Sequence, residues 1–217
     1  MKGTIFLVED DAAVRTALTR LLEGEGLRVK ACASAEEFLA KCPRRPSGCL
    51  LLDLRLPGKN GLDLQEELTL SGIRLPVVFL SGHGDVPASV RALKSGALDF
   101  LVKPAPADTL LHAVRKALDR DAERRRRDAA EKAARARVAQ LTPREREVMA
   151  LTVAGHPNKE IARRLGISHR TVEVHRAHML HKLGTKSLLE LSRLASVCGL
   201  SSAAEETPLG GSLRVPT

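Results

Sequence analysis

The feature that most limits the fold of this chain is the alternation of short apolar runs with amphipathic stretches between Thr4 and about Arg120. The runs have the length of strands, and the stretches have the spacing of helices that are apolar on one face. Strands that alternate with helices form a parallel sheet covered on both faces, because each parallel connection needs a crossover. The sequence therefore predicts an α/β doubly wound parallel five-stranded (βα)5 domain over residues 1–120. Its strands are predicted at TIFLV, RVKAC, CLLLD, PVVFLS and DFLVK.

Polar residues follow four of these predicted strands. They are Asp10 and Asp11 after the first run, Asp53 at the end of the third, Ser81 after the fourth and Lys103 after the fifth. Since the carboxyl ends of parallel strands meet at one edge, we expect these side chains to converge there. Three carboxylates with one lysine favour Mg²⁺, whose preferred ligands are oxygens, and a carboxylate beside this ion can accept a phosphoryl group. The edge is therefore a predicted phosphoryl-transfer site in which one of these carboxylates would be the acceptor.

Each of these residues also has a simpler structural explanation. Asp11 precedes an apolar-periodic helix and has the residue type of an N-cap. Asp53 could cap a turn, Ser81 could be a turn residue before Gly82, and Lys103 could be a surface lysine. Their joint position at the ends of four strands of one sheet favours the shared site.

The second half of the chain is basic and has the pattern of an all-α domain. Residues 1–120 contain 17 Lys and Arg against 15 Asp and Glu, whereas residues 121–217 contain 18 against 11. The surplus of positive charge suggests a polyanionic partner. The segment NKEIARRLGISHRTVEVHRAHMLHKLG predicts two helices across a tight turn, which is a helix-turn-helix pattern. Thr142 with Glu145 predicts a capping box at the start of an earlier helix.

The second of these helices, about 168–183, has two distinct faces. Val172, Met179 and Leu183 form a predicted buried stripe, and Val174 lies opposite among polar and basic residues. An exposed valine there suits the major groove of DNA, where an apolar side chain can contact a thymine methyl group.

The two halves resemble a known family of regulators. FLVEDD, LLLDLRLPGKNG, VFLSGHGD and DFLVKP are similar to the receiver domain of bacterial two-component response regulators, and the helix-turn-helix segment resembles the LuxR-type domain of the NarL/FixJ response regulators. The resemblance implies a regulator of transcription, not an enzyme, in which a histidine kinase phosphorylates Asp53. It also implies that Asp11, Asp53 and the backbone carbonyl of Arg55 ligate Mg²⁺, with Asp10 acting through water.

The same resemblance implies a switch and its partners. Ser81 and Lys103 would contact the phosphoryl group, and Phe100 would turn inward on phosphorylation. A homodimer would form through residues 86–103 and bind double-stranded DNA, activating transcription with RNA polymerase as a further partner. The expected phosphate contacts are Lys159, Arg170, Thr171, Arg176, Lys182 and Lys186, and the expected base contacts are Glu173, Val174 and Ala177.

The remaining segments complete the predicted organisation. An exposed helical linker is expected over residues 121–140, the DNA-binding domain over 141–200 and a disordered tail over 201–217. The four cysteines have no metal-ligand spacing and are interpreted as reduced, small apolar residues. Without a membrane-length apolar run or an export signal, the chain is expected in the cytoplasm.

Two other functions stay open on the sequence. One is a constitutive DNA-binding protein with a vestigial receiver. The other is an Mg²⁺-dependent phosphotransfer enzyme, which would need a general base, and only His83 lies near enough in sequence.

Overall fold

The computed structural model describes residues 3–82 and 86–200, which divide into two compact units at Arg126 and Arg127. In these residues, strands and helices alternate from Thr4 to Ala139. They are β1 (Thr4–Val8), α1 (Ala12–Gly24), β2 (Arg28–Cys32), α2 (Ala35–Lys41), β3 (Gly48–Asp53), α3 (Gly61–Leu70), β4 (Val77–Ser81), α4 (Val86–Lys94), β5 (Asp99–Val102) and α5 (Ala107–Ala139). The predicted tail and His83 lie outside the described residues.

The five strands form one parallel sheet in the order β2-β1-β3-β4-β5. Strands β3 and β4 are buried along their whole length, whereas the edge strand β2 is largely accessible. A strand covered by helices on both faces must be apolar on both faces. This is why the residues before Asp53 in CLLLD form a continuous apolar run. The prediction of a doubly wound five-stranded sheet is confirmed.

Two apolar cores cover the two faces of the sheet. Alternate residues of β3 point to opposite faces, so that Leu50 and Leu52 join one core while Cys49 and Leu51 join the other. Burial raises the pKa of the Cys49 thiol to about 12, which keeps it protonated at neutral pH. All four cysteines are free thiols, and Cys49 packs as a small apolar residue.

Gly61 allows α3 to begin directly beside the end of β3. Its N–H donates to the Leu54 carbonyl at 3.0 Å. A Cβ atom at this position would lie 2.4 Å from the Asp53 carbonyl oxygen and 3.0 Å from the Phe79 ring. The close approach of backbone to backbone therefore requires a residue without a side chain here.

The second unit is all-α in its described residues. After the end of α5 it contains α6 (Pro143–Val153), α7 (Asn158–Leu165), α8 (His169–Leu183) and α9 (Leu188–Val197). The predicted capping box is present, since the Thr142 side chain accepts from the Glu145 N–H and the Glu145 carboxylate accepts from the Thr142 N–H. Gly166 ends α7 in the left-handed conformation, which forms the tight turn before α8.

Helix α5 is 33 residues long, and the division between the two units falls inside it. In the first unit, Asp121 is buried and its carboxylate accepts from the Gly48 N–H at 2.9 Å. The predicted linker, residues 121–140, lies within this helix except at its last residue, and the predicted domain limits stay predictions. No helix in residues 3–82 and 86–200 has the length and apolarity needed to span a bilayer.

Candidate functional site

Four of the parallel strands bring polar side chains to one edge of the sheet. Asp53 and Ser81 are the last residues of β3 and β4, while Glu9 and Lys103 directly follow β1 and β5. Backbone pairing continues past the strand ends, since the Glu9 N–H donates to Cys32 and the Lys103 N–H donates to Ser81. Glu9, Asp53 and Ser81 are all buried. The edge is therefore a polar pocket whose backbone is fixed by the sheet.

Lys103 links two of these strand ends through its ammonium group. Its Nζ donates to Glu9 Oε2 at 2.5 Å and to Asp53 Oδ2 at 2.7 Å. Burial acts to lower the pKa of Lys103, but the hydrogen bonds to Asp53 and Glu9 outweigh it and raise the pKa above its ordinary value. Burial also raises the pKa of Glu9, against the opposing effect of Lys103. The lysine is thus a permanent cation shared by two buried carboxyl groups.

Three carboxyl groups of the pocket could hold a metal ion together. Ligand oxygens from Glu9, Asp10 and Asp53 all lie within 4.8 Å of one another. Hard oxygen donors of this kind suit Mg²⁺, which also keeps waters and phosphate oxygens as ligands. The donor set therefore fits the predicted ion, with two of the predicted ligands in the cluster.

Asp11, the other predicted carboxylate ligand, lies outside this cluster and caps α1. Its Oδ1 accepts from the N–H groups of Ala13 at 2.7 Å and Val14 at 3.0 Å. The backbone hydrogen bonds from Val14 and Ala13 lower the pKa of Asp11. Glu9 was not among the predicted ligands, although its position directly after a buried strand was the available signal. It had been counted with the apolar run that it ends.

The other residues expected at the pocket have distinct surroundings. The Arg55 N–H donates to Asp53 Oδ1 at 3.0 Å, so the loop after β3 folds back onto Asp53. Phe100 is half-buried and packs on Phe79 with ring centroids 6.2 Å apart. The bond between Lys103 and Pro104 is cis. The role of the Arg55 carbonyl in metal binding stays a prediction.

Helix α4 and strand β5 expose an apolar surface within residues 86–103. Val86, Val90, Leu93 and Val102 are each accessible over more than two fifths of their surface. Isolated exposed apolar residues are ordinary, but four within one short segment favour an interaction surface. This is the segment that was predicted to form the dimer.

Helix α8 has the two faces that its sequence predicted. Val172, Met179 and Leu183 are fully buried and pack in the cores of the second unit. Arg170, Val174, Ala177 and His181 are exposed. The apolar stripe is therefore confirmed, and the opposite face is free of the unit's own core.

The residues predicted to contact DNA differ in their exposure and in their side-chain contacts within the second unit. Lys159, Lys186, Arg170, Val174 and Ala177 are exposed. Thr171 Oγ1 lies 2.8 Å from Ser168 Oγ, and Arg170 pairs with Glu173 at 3.2 Å.

Two predicted phosphate contacts are held more firmly by other helices. Arg176 donates to the Asn158 side chain on α7 at 2.9 Å, and Lys182 pairs at 2.7 Å with Glu145, a buried residue of α6. These two cations join α8 to its neighbours within the unit.

Two segments of the chain match known protein families. Residues 5–115 match the response regulator receiver domain, and residues 139–195 match the bacterial regulatory proteins of the luxR family. The chain is 42% identical to nodulation protein W of Bradyrhizobium diazoefficiens, over 93% of this chain and 88% of that protein. It is 44% identical to the transcriptional regulatory protein FixJ of Azorhizobium caulinodans, over 94% and 97%. The structure of the response regulator StyR matches with a TM-score of 0.82 and 41% identity, over 90% and 99%.

Proposed function

Because the chain belongs to the response regulators that join a receiver domain to a LuxR-type helix-turn-helix domain, it is a phosphorylation-dependent transcriptional regulator of a two-component system, and we propose that Asp53 accepts the phosphoryl group. The two domains imply a histidine kinase as phosphodonor and DNA as ligand. The assignment of Asp53 rests on the hydrogen bonds that the Lys103 ammonium group donates to Asp53 and Glu9. These three residues lie at the ends of three different strands. This arrangement places the Asp53 carboxyl group beside a cation in a buried pocket.

The transfer would make one bond and break one. An Asp53 carboxylate oxygen attacks phosphorus, and the P–N bond to the kinase histidine breaks as the new P–O bond forms. Lys103 would move its charge toward the phosphoryl oxygens, and the Ser81 hydroxyl would donate a hydrogen bond to one of them. Glu9, Asp10, Asp53 and the Arg55 carbonyl would hold Mg²⁺. When bound, this ion would offset the negative charge that gathers on the phosphoryl group.

The output would follow from charge added to a buried pocket. A phosphorylated Asp53 adds close to two negative charges beside Ser81 and Lys103. We propose that Ser81 and Phe100 then rearrange and that the apolar surface of α4 and β5 forms a homodimer through residues 86–103. The exposed face of α8 would enter the major groove, with Arg170 and Thr171 on phosphates and Val174 and Ala177 on bases. Activation of transcription, with RNA polymerase as partner and no enzymatic turnover of a small substrate, completes the proposal.

The test compares wild type with Asp53→Asn, each with and without Mg²⁺ and beryllofluoride. We expect beryllofluoride to raise the sedimentation mass to that of a dimer and to tighten DNA binding in wild type alone. Asp63→Asn, on the exposed first turn of α3, is the matched control and should respond as wild type does. Equal DNA binding in all samples would contradict the proposal and identify a constitutive DNA binder.

A further inference from the structure

The carboxyl end of α8 is held by a residue that precedes the matched DNA-binding segment. Gly184 closes this end in the left-handed conformation, and its N–H donates back to the helix. Helix ends leave backbone carbonyls without partners inside the helix, and these oxygens form the negative end of the helix dipole. The Leu183 carbonyl accepts a hydrogen bond from the guanidinium group of Arg137, on the last turn of α5.

Arg137 also contacts the first turn of α9. Its Nη1 donates to Glu190 Oε1 at 3.0 Å. Hydrogen bonds from the Thr185 side chain and then from Arg137 lower the pKa of Glu190, so this carboxylate is ionised at neutral pH. One planar guanidinium group therefore joins the end of α8 to the beginning of α9. Its fixed fork of donors suits a bridge between two such acceptors.

Neighbouring residues of α5 pack into the same unit. Val138 is buried in the core that contains Met179, Leu183 and Leu191, and Ala134 packs against its edge. Residues 134, 137 and 138 share one face of the helix because they are three and four positions apart. The match to the luxR family begins at residue 139, so these contacts come from outside the matched segment.

We propose that Arg137 is a positioning residue for DNA recognition: it sets the orientation of α8 against α9 and is not itself a DNA contact. This inference rests on the proposed role of α8 in the major groove. Base contacts need an accurately placed helix, whereas non-specific attraction to phosphates tolerates small displacements. Loss of Arg137 should therefore reduce the preference for a specific sequence more than it reduces affinity for DNA in general.

The experiment uses the full chain treated with Mg²⁺ and beryllofluoride. The probe is a duplex selected from a random-sequence library by wild type, and a scrambled duplex of the same composition measures non-specific binding. The variants are Arg137→Ala, Arg137→Lys and Glu190→Gln. Arg135→Ala removes the same charge from an exposed position two residues away and serves as control. Affinity for both duplexes is measured by fluorescence anisotropy across a salt series, together with circular dichroism.

We expect Arg137→Ala to lower affinity for the selected duplex about tenfold, in line with the loss of charge-assisted hydrogen bonds. Affinity for the scrambled duplex and the slope of log affinity against log salt should stay at the Arg135→Ala values. Arg137→Lys should recover only part of the loss, because lysine has no fork. Glu190→Gln, which keeps the Leu183 contact, should lose less than Arg137→Ala.

Three results would overturn the inference. The first is an Arg137→Ala protein that binds both duplexes as Arg135→Ala does. The second is a uniform loss with a salt slope lower by about one, which marks a direct phosphate contact. The third result applies if Arg137→Ala does not fold. It is then that Arg137→Lys and Glu190→Gln both fold and keep the wild-type preference for the selected duplex. Failure of wild type to select any duplex would instead contradict the proposed function.

Discussion

The pocket at the carboxyl edge of the sheet and the exposed face of α8 are assembled in opposite ways. Glu9, Asp53, Ser81 and Lys103 are distant in sequence, mostly buried, and brought together by four strands. The exposed residues of α8 come from four turns of one helix, and no strand or loop is needed to gather them. Groups in the pocket share Lys103, so each depends on the others. Under the proposed function, groups on the helix face would each contact DNA separately, so their effects should add.

The largest effect is expected when Lys103, the cation shared by the pocket residues, is removed. Lys103→Met leaves buried Glu9 and Asp53 without a compensating charge. We expect the free energy of unfolding of the first unit to fall by about 3 kcal/mol at neutral pH without Mg²⁺. Urea denaturation followed by circular dichroism measures the change, and Lys94→Met, at an exposed position, should cost less than about 0.5 kcal/mol.

The double variant Lys103→Met with Glu9→Gln measures directly how far the pocket residues depend on one another. Since it removes one uncompensated charge, it should recover about 2 kcal/mol relative to the sum of the single variants. Simple additivity would show that the pocket residues act independently, as those of the helix face are expected to do.

Among the described residues of the second unit, the buried Glu145 and the half-buried Lys182 form an ion pair that should behave like the pocket. Burial acts to raise the pKa of Glu145, but hydrogen bonds from Lys182 and Thr142 outweigh it and hold the pKa below its ordinary value of 4.5. A carboxyl group with a lowered pKa stabilises the fold above 4.5, and this contribution is lost as the pH falls through the lowered value. Lys182→Met should therefore cost about 1.5 kcal/mol at pH about 7 and much less at acid pH.

Hydrogen exchange of peptides from α6 and α8, measured across this pH range, gives the stability of the second unit. Lys132→Met, at an exposed position of α5, is the control. If Lys182→Met instead left exchange unchanged and lowered the salt slope of DNA binding, Lys182 would belong to the DNA-contacting face, as its sequence position first suggested.

Arg170 tests the independence of the helix face. Its side chain is exposed and pairs only loosely with Glu173. Arg170→Ala should weaken binding to every duplex about tenfold and reduce the salt slope by about one, with no change in unfolding. Arg193→Ala, on α9, is the control at another exposed position. Anisotropy titrations at several salt concentrations separate this result from a change in sequence preference.

Val174 should give the smallest effect and the most specific one. Its side chain is 40% exposed although it is apolar. Val174→Ala should cost about 1 kcal/mol on the preferred duplex through loss of contact with a thymine methyl group. Replacing that thymine by uracil should abolish the difference between the two proteins. Leu189→Ala, another exposed apolar residue, should bind both duplexes as wild type does.

The sequence predicted the sheet well because apolar runs and helical spacing are local signals. It also predicted the two faces of α8, because a helix places residues by spacing alone. Glu9 was missed because it directly follows the apolar run and was assigned to the strand, not to the polar residues beyond it. The partners of Lys182 and Arg137 could not be predicted, since Glu145 and Glu190 are 37 and 53 residues away in the chain. Such contacts depend on how helices pack, which spacing does not define.

Gly61 limits which sequences can carry this pocket. Glycine loses more backbone freedom on folding than any other residue, so a protein under no other constraint would gain by replacing it with alanine. Here the added methyl group would collide with the backbone carbonyl oxygen of Asp53, at 2.4 Å. During evolution, position 61 can therefore accept no other amino acid unless Asp53 moves. Exposed positions of α3 do not have this constraint.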